Sequence, residues 1–292
     1  MSSPAEPPAL VPPRLIERCQ AILRQRPAAV ACDIDGTLSV IAATPGAAII
    51  TDDIRVSLAR LASRLDVVAI VSGRSAPIAS TMVGLPELVY IGNHGMERLH
   101  QDEIWQNPEA AAAITAIAAA AAAVDAAFAA EAGTGWLLVE NKGVSATIHY
   151  RLAPDPIAAQ ALLLPVISAA AARHGLIVTE GRLIFELRPN VPINKGSAIA
   201  DLVARHGLRG LLFLGDDLTD VDGFLALQAL RAAGAIDGLA IGVLGVESHP
   251  RVRETMDAGI PGVSAAAALL AALGDGLDRP ATESVAAADF PR

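Results

Sequence analysis

Five short apolar runs recur along the chain without internal alternation: AAVAC (28–32), VVAIV (67–71), LVYI (88–91), GLLFL (210–214) and LAIGVL (239–244). Runs of this kind suit strands buried on both faces, as in a parallel sheet. Helix-like segments fall between several of them, such as 52–65 and 195–207. That rhythm predicts an α/β fold, a doubly wound parallel sheet.

The middle of the chain follows another pattern. Asn107-Pro108-Glu109 is a helix start, with Gly133 as its stop. Ile114, Ile117, Val124 and Phe128 share one helical face, so the alanine-rich stretch reads as a packed amphipathic helix. GWLLVEN and VSATIHYR then read as strands, the second alternating as a half-exposed strand does. A second helical segment spans 156–174, with Pro165 as a kink or break, and a strand pair follows that turns at Gly181. Helix–strand–strand, twice, predicts an inserted α+β cap at 106–187 between core parts at 14–105 and 188–273. Disordered ends are expected at 1–13 and 274–292.

With 292 residues and 53% hydrophobic content, the chain has ample material for a core, and 3% aromatics make that core aliphatic. The net charge of −9 argues against nucleic acid and anionic membranes, so an anionic substrate needs a local cationic pocket. Two cysteines, Cys19 and Cys32, make no disulfide framework. The start lacks a signal-peptide pattern and the longest low-charge stretch (110–124) is too short to span a bilayer, so a cytoplasmic protein is expected.

Ligands of open parallel sheets bind beyond the carboxyl ends of the strands. The residues following the apolar runs here are Asp33 and Asp35, then Ser72-Gly73-Arg74, then Gly92-Asn93-His94-Gly95, then Gly215-Asp216-Asp217. Each has a bland alternative: a turn for DG, a helix cap for SGR and GDD, a first-turn lysine for Lys195. A lysine fits poorly beside the positive end of a helix dipole, which favours an anion partner for Lys195. Asp33, Asp35 and Asp216, with Asp217 and Asp220, would repel one another at one rim, and oxygen-only ligands point to Mg²⁺. Lys195, Ser72 and the amides of the Asp35–Thr37 turn would hold phosphate oxygens. Asp33 would attack phosphorus, and Asp35 would act as acid and base.

The motifs DIDGT, VSGR, NKG and GDDLTD, in that order, resemble those of the haloacid dehalogenase superfamily of phosphatases. The strings GNHGME, ENKGVSATIHYR and ELRP narrow the resemblance to the trehalose-6-phosphate phosphatases. The resemblance implies a phosphoric monoester hydrolase with Mg²⁺ on Asp33, the Asp35 carbonyl and Asp216, supported by Asp217 and Asp220. It places Ser72 and Lys195 on the phosphate. Sugar hydroxyls would be read by Arg74, Asn93, His94 and Gly95 on the core, by Glu140, Lys142, His149 and Arg151 on the cap, and by Glu186 and Arg188 near its hinge. The cap would hinge near 97–106 and 187–192. A sugar phosphate would be the partner, with a functional link to a trehalose-6-phosphate synthase.

One departure stands out: where the family has Glu-Asp-Ala after the fourth motif, this chain has Val221-Asp222-Gly223. Alternatives are a phosphatase of glucosylglycerol phosphate or sucrose phosphate, a phosphomutase, or a non-catalytic regulatory subunit on the same fold. The last is expected to lose Asp33, Asp35, Lys195 or Asp216, and all four are present.

Overall fold

Each of the five apolar runs contributes a strand to one sheet, and the strands are buried almost throughout. The computed structural model describes residues 11–277 apart from 130–132 and 247. Helix α1 (Pro13–Leu23) leads to β1 (Ala28–Cys32), α2 (Asp52–Ala62), β2 (Val67–Val71), α3 (Ala76–Val83), β3 (Val89–Gly92), β4 (Glu97–His100) and β5 (Glu103–Gln106). Next come α4 (Pro108–Ala112), α5 (Ile114–Phe128), β6 (Leu138–Asn141), β7 (Ala146–His149), α6 (Pro156–Arg173), β8 (Leu176–Gly181) and β9 (Ile184–Pro189). The chain closes with α7 (Lys195–His206), β10 (Gly210–Gly215), α8 (Leu218–Ala232), β11 (Asp237–Leu244), α9 (Pro250–Thr255), β12 (Ala258–Pro261) and α10 (Gly262–Gly276).

The large sheet has the order β12-β11-β10-β1-β2-β3-β4-β5, parallel from β12 to β3 and antiparallel beyond. Apolar side chains pack on both faces. Val30, Ile70, Leu212 and Ile241 face one cluster with α2 and α10, while Ala31, Val71, Phe213 and Ala240 face another with α7 and α8. From β1 the chain winds outward through β2 to β3, and from β10 it winds the other way. The strand order therefore reverses between β1 and β10, where such sheets open a crevice for ligands.

The inserted unit is a four-stranded antiparallel sheet, β6-β7-β9-β8, backed by α5 and α6. Alternation along β7 and β9 sends Ile148, Phe185 and Leu187 into that core. Asn107 caps α4 by accepting the amides of Glu109 and Ala110. Ile117, Val124 and Phe128 are buried in the cap core, whereas Ile114 packs into a separate cluster with Met96 and Val144.

Several expectations need correction. Val11 is buried and Pro13 opens α1, so order begins inside the segment expected to be disordered, of which residues 1–10 lie outside the described residues. At the other end α10 runs to Gly276 with Leu273 and Gly274 buried, and 278–292 are outside the description. Helix α5 ends at Phe128, ahead of the expected stop at Gly133. Helix α6 continues through Pro165, which is exposed, as is Ala161, so water can take the carbonyl that proline leaves unpaired. By length and composition α6 could cross a membrane, but here Leu163 and Ile167 face the cap core. The β8–β9 turn is formed by Arg182 and Leu183, not Gly181, because Gly181 is still paired with Ile184. The expected hinge at 97–106 is the β4–β5 hairpin of the large sheet. Only Asn107 separates it from α4.

The departure after the fourth motif also has a physical reason. Val221 is buried against the apolar cluster under the sheet, away from the rim. A Cβ on Gly223 would lie 2.3 Å from Cε1 of Phe213, so the aromatic ring occupies the space an alanine would need. Gly223→Ala is expected to destabilise the fold by about 1–2 kcal/mol, because overpacking outweighs the gain of roughly 1 kcal/mol in helix propensity. Urea unfolding checks this, and Phe213→Leu should reverse the sign by opening the space. An alanine that stabilises in the presence of Phe213 would refute the account.

Candidate active site

The sheet reversal brings the ends of β1 and β10 side by side, and with them Asp33 and Asp216. A sharp turn follows Asp33, and it depends on Gly36. Its φ of +92° is a left-handed conformation, and a Cβ there would overlap the Asp216 carboxylate at 2.0 Å. Within this turn the Gly36 amide donates to the Ser39 carbonyl and the Thr37 amide to that of Ile34. Two of the three amides expected to hold phosphate are thus already used. The Thr37 hydroxyl donates to Asp216 at 3.1 Å.

Lys195 opens α7 and is only 1% exposed. Its Nζ lies 2.9 Å from Asp33 Oδ1 and 2.7 Å from Asp220 Oδ1. The ordinary first-turn lysine is excluded by this burial. Asp220 is fully buried, and its other oxygen accepts the amides of Asp216 and Asp217. Asp217 caps α8 and accepts the Leu218 amide. One lysine therefore faces three crowded carboxylates, those of Asp33, Asp216 and Asp220, with a ligand oxygen from each within 4.8 Å of the others. Burial first, then the neighbouring acids, pushes Asp33 up to about 7 against the opposing pull of Lys195. The same causes push Asp216 up to about 9.

Arg74 lines the cavity and is also tied to Asp35. Its Nε and Nη2 donate to the two Asp35 oxygens at 2.6 and 2.7 Å, and its Nη1 to the Pro45 carbonyl at 3.0 Å. Two of its five N–H groups thus orient Asp35 in the bidentate geometry typical of arginine and carboxylate, and a third goes to Pro45. Ser72 is buried, and its hydroxyl accepts the Arg74 amide at 3.2 Å.

The cap rests on this rim through polar contacts. Lys142 Nζ donates to the Gly73 carbonyl and to Glu186 Oε1, each at 2.7 Å. The Ser145 hydroxyl donates to Asn93 Oδ1 at 2.7 Å, and His94 Nε2 lies 3.3 Å from Glu186 Oε2. The turn presenting Asn93, His94 and Gly95 has positive φ at all three, 47°, 58° and 111°. Asparagine and histidine tolerate this region better than most side chains. Burial opposes ionisation of Glu186, but Lys142, His94 and Arg188 outweigh it and hold the carboxyl well below its usual range. Glu140 is likewise lowered, first by its hydrogen bond to His149 at 3.0 Å. Arg188 Nη2 donates to the Ile193 carbonyl, and Arg151 to that of Arg182.

Between core and cap lies a cavity of about 390 Å³, within the range of small-molecule sites. Its walls include Asp33, Asp35, Ser72, Arg74, His94, Lys195, Asp216 and Asp217 from the core, and Glu140, Lys142, His149, Arg151, Glu186 and Arg188 from the cap. Asn93, Gly95 and Asp220 stand behind the wall. Sequence reasoning missed Thr147, Asp222 and the loop from Ile41 to Pro45, all of which line the cavity. Thr147 shares a strand face with His149, two residues on, so the alternation of β7 already carried that signal. Its hydroxyl is buried without a partner. Thr147→Val is therefore expected to leave the melting temperature unchanged or higher, since no hydrogen bond is lost; a clear drop would show that the hydroxyl has a partner.

Comparison with known proteins agrees with this geometry. A family model described as trehalose-phosphatase matches residues 31–248. Trehalose-phosphate phosphatases of Mycobacterium marinum and Mycobacterium avium are 38% and 34% identical, over 77% and 75% of this chain and 60% and 55% of theirs. The chain thus spans little more than half the length of these relatives. The C-terminal domain of trehalose-6-phosphate phosphatase from Candida albicans superposes with a TM-score of 0.71 at 25% identity, covering 94% of this chain and 99% of that one. A trehalose-6-phosphate phosphatase related protein gives 0.71 at 22% identity over 85% and 97%. A haloacid dehalogenase-like hydrolase from Bacteroides thetaiotaomicron shares the fold at a TM-score of 0.55, 15% identity, over 84% and 98%. With its core sheet, inserted cap and matched span of 218 residues, the chain belongs to the trehalose-phosphatase family.

Proposed function

We propose that this chain hydrolyses trehalose 6-phosphate to trehalose and phosphate, with Asp33 as nucleophile. The observation that carries the reading is the Asp33–Lys195–Asp220 arrangement at the strand reversal, opening into a cavity roofed by charged side chains of the cap. A polyhydroxylated sugar needs such polar walls. The relatives named above are trehalose-phosphate phosphatases, which supplies the sugar.

Asp33 attacks phosphorus, and the bond from phosphorus to the sugar oxygen breaks. Asp35, held in plane by Arg74, gives that oxygen its proton and then takes one from the water that releases phosphate from Asp33. Ser72 and Lys195 hold the phosphate, and the cap excludes bulk water. Arg74 positions Asp35, while His94, Glu140, Lys142, His149, Arg151, Glu186 and Arg188 face the sugar, with Asn93 and Gly95 shaping the turn beneath them. A functional link to the synthase that makes the ester follows from this reading.

The acidic set fits Mg²⁺: its donors are all hard oxygens, and Gly36 lets the turn approach Asp216 as closely as a shared ligand sphere requires. Both Asp220 oxygens are engaged, so Asp33 and Asp216, with the Asp35 carbonyl, would hold the ion, and Asp217 and Asp220 would support them. Bound there, Mg²⁺ would supply the charge that draws in a phosphate dianion.

Stability should report the same crowding. Raised carboxyl pKa values mean that the folded state holds protons the unfolded chain releases near its ordinary value of 3.8. Stability of the metal-free protein is therefore expected to fall as pH rises from 7 to 9. Mg²⁺ should raise the melting temperature more at pH 9 than at pH 7. Melting in EDTA and in Mg²⁺ at both values checks this; equal shifts would count against a cation on these acids.

The reaction itself is tested by phosphate release from trehalose 6-phosphate beside glucose, sucrose and glucosylglycerol phosphates. A strong preference for the trehalose ester is expected. Hydrolysis without that preference would leave the chemistry standing and remove the substrate.

A further inference from the structure

Helix α8 begins at the acidic cluster and turns one face toward the cavity. Leu218 and Asp222, four residues apart and so on the same face, both line it. Each of the other carboxylates lining the cavity has a hydrogen-bond partner, as Asp33 has Lys195, Asp35 has Arg74 and Glu186 has Lys142. Among the described residues the Asp222 carboxylate accepts no hydrogen bond and makes no ion pair. Burial raises its carboxyl above the ordinary range, and the positive charges of Arg251, Arg188 and His94 only partly oppose that.

An unpaired carboxylate beside a site that must admit a phosphate is unfavourable for the phosphate itself. Its placement makes sense for the other end of the substrate. A carboxylate accepts two hydroxyl hydrogens at once, and charge-assisted hydrogen bonds are the strong ones. Leu218, 41% exposed, offers an apolar surface one turn away. A pyranose ring presents both chemistries, C–H groups on a face and hydroxyls at its edge.

We infer that Asp222 and Leu218 of α8 form a sugar-binding subsite in which Asp222 accepts hydroxyls of the substrate and Leu218 supports the ring, making Asp222 a specificity-determining residue. The inference rests on the reading of the substrate as a disaccharide ester.

The test compares kcat/KM of the full chain for trehalose 6-phosphate and for p-nitrophenyl phosphate, in Mg²⁺, for wild type, Asp222→Ala and Asp222→Asn. Inhibition of p-nitrophenyl phosphate hydrolysis by trehalose is measured alongside. In Asp222→Ala the preference for the sugar ester is expected to fall about tenfold to a hundredfold, through KM more than kcat, with trehalose inhibition weakened in parallel. Asp222→Asn keeps one acceptor and the side-chain volume, so it should lose less. Equal losses on both substrates would overturn the inference, as would an unchanged preference in the asparagine and alanine variants. Should the alanine variant fail to fold, the asparagine variant decides: any drop in preference supports the subsite, and none overturns it. A wild type that hydrolyses the aryl ester but neither prefers the sugar ester nor binds trehalose would overturn the substrate reading, and this inference with it.

Discussion

Asp33→Asn is expected to lower phosphate release at least ten-thousandfold while leaving the protein folded, and at pH 9 without metal the variant should melt higher than the wild type. The loss of turnover follows from removing the group proposed to attack phosphorus. The gain in stability follows from the crowding. Asp33 is buried with Asp216 and Asp220 nearby, and Lys195 is the one lysine set among them. Asparagine keeps the volume and leaves an oxygen for Lys195, but withdraws one buried negative charge. Phosphate assays and melting curves check both halves. Turnover within tenfold of wild type would sink the covalent route. A lower melting temperature would mean that the attraction between Asp33 and Lys195 outweighs the repulsion among the acids.

Lys195→Met should be the most destabilising single change at the site, costing about 3–5 kcal/mol at neutral pH. Methionine fills much of the same space, so the cost is electrostatic. It would strand Asp33, 5% exposed, and Asp220, fully buried, without their shared cation. The amides of Asp216 and Asp217 satisfy one oxygen of Asp220 but cannot balance its charge. Urea unfolding measures the loss, and Mg²⁺ should recover part of it by supplying the missing positive charge. A cost below about 1 kcal/mol would show that the buried acids are content without the lysine, and would remove the electrostatic account given for it.

Legibility differed by kind of information. The unbroken apolar runs foretold β1, β2, β3, β10 and β11, because a strand covered on both faces must be apolar at every position. The hairpin of β4 and β5 was not foreseen. ERLH and EIWQ carry charges and so form no apolar run, even though Glu97 and Arg98 of β4 are buried. Strand β12, AGIP, has too few residues to signal anything alone.

The site was read in the same uneven way. Asp33, Asp35 and Asp216 stood out because charge at the end of an apolar run is costly and needs a reason, and Lys195 because a lysine fits poorly beside the positive end of a helix dipole. Arg74 could be placed at the rim, but its orientation toward Asp35 depends on where the Ile41–Pro45 loop folds back. The alternation of β7 could place Thr147 at the cavity, but that its hydroxyl lacks a partner is a property of its neighbours, which no local pattern reports.

By itself, then, the sequence determined the α/β class, the inserted cap and the acidic and basic residues available for phosphoryl chemistry, since periodicity and charge at strand ends are local consequences of burial. Tertiary structure alone decided that the chain reverses between β1 and β10, that Lys195 is shared by Asp33 and Asp220, and that Asp222 lines the cavity with no side-chain partner among the described residues. Those facts depend on groups far apart in the chain meeting in a low-dielectric crevice, where the energy belongs to the arrangement and not to any one segment.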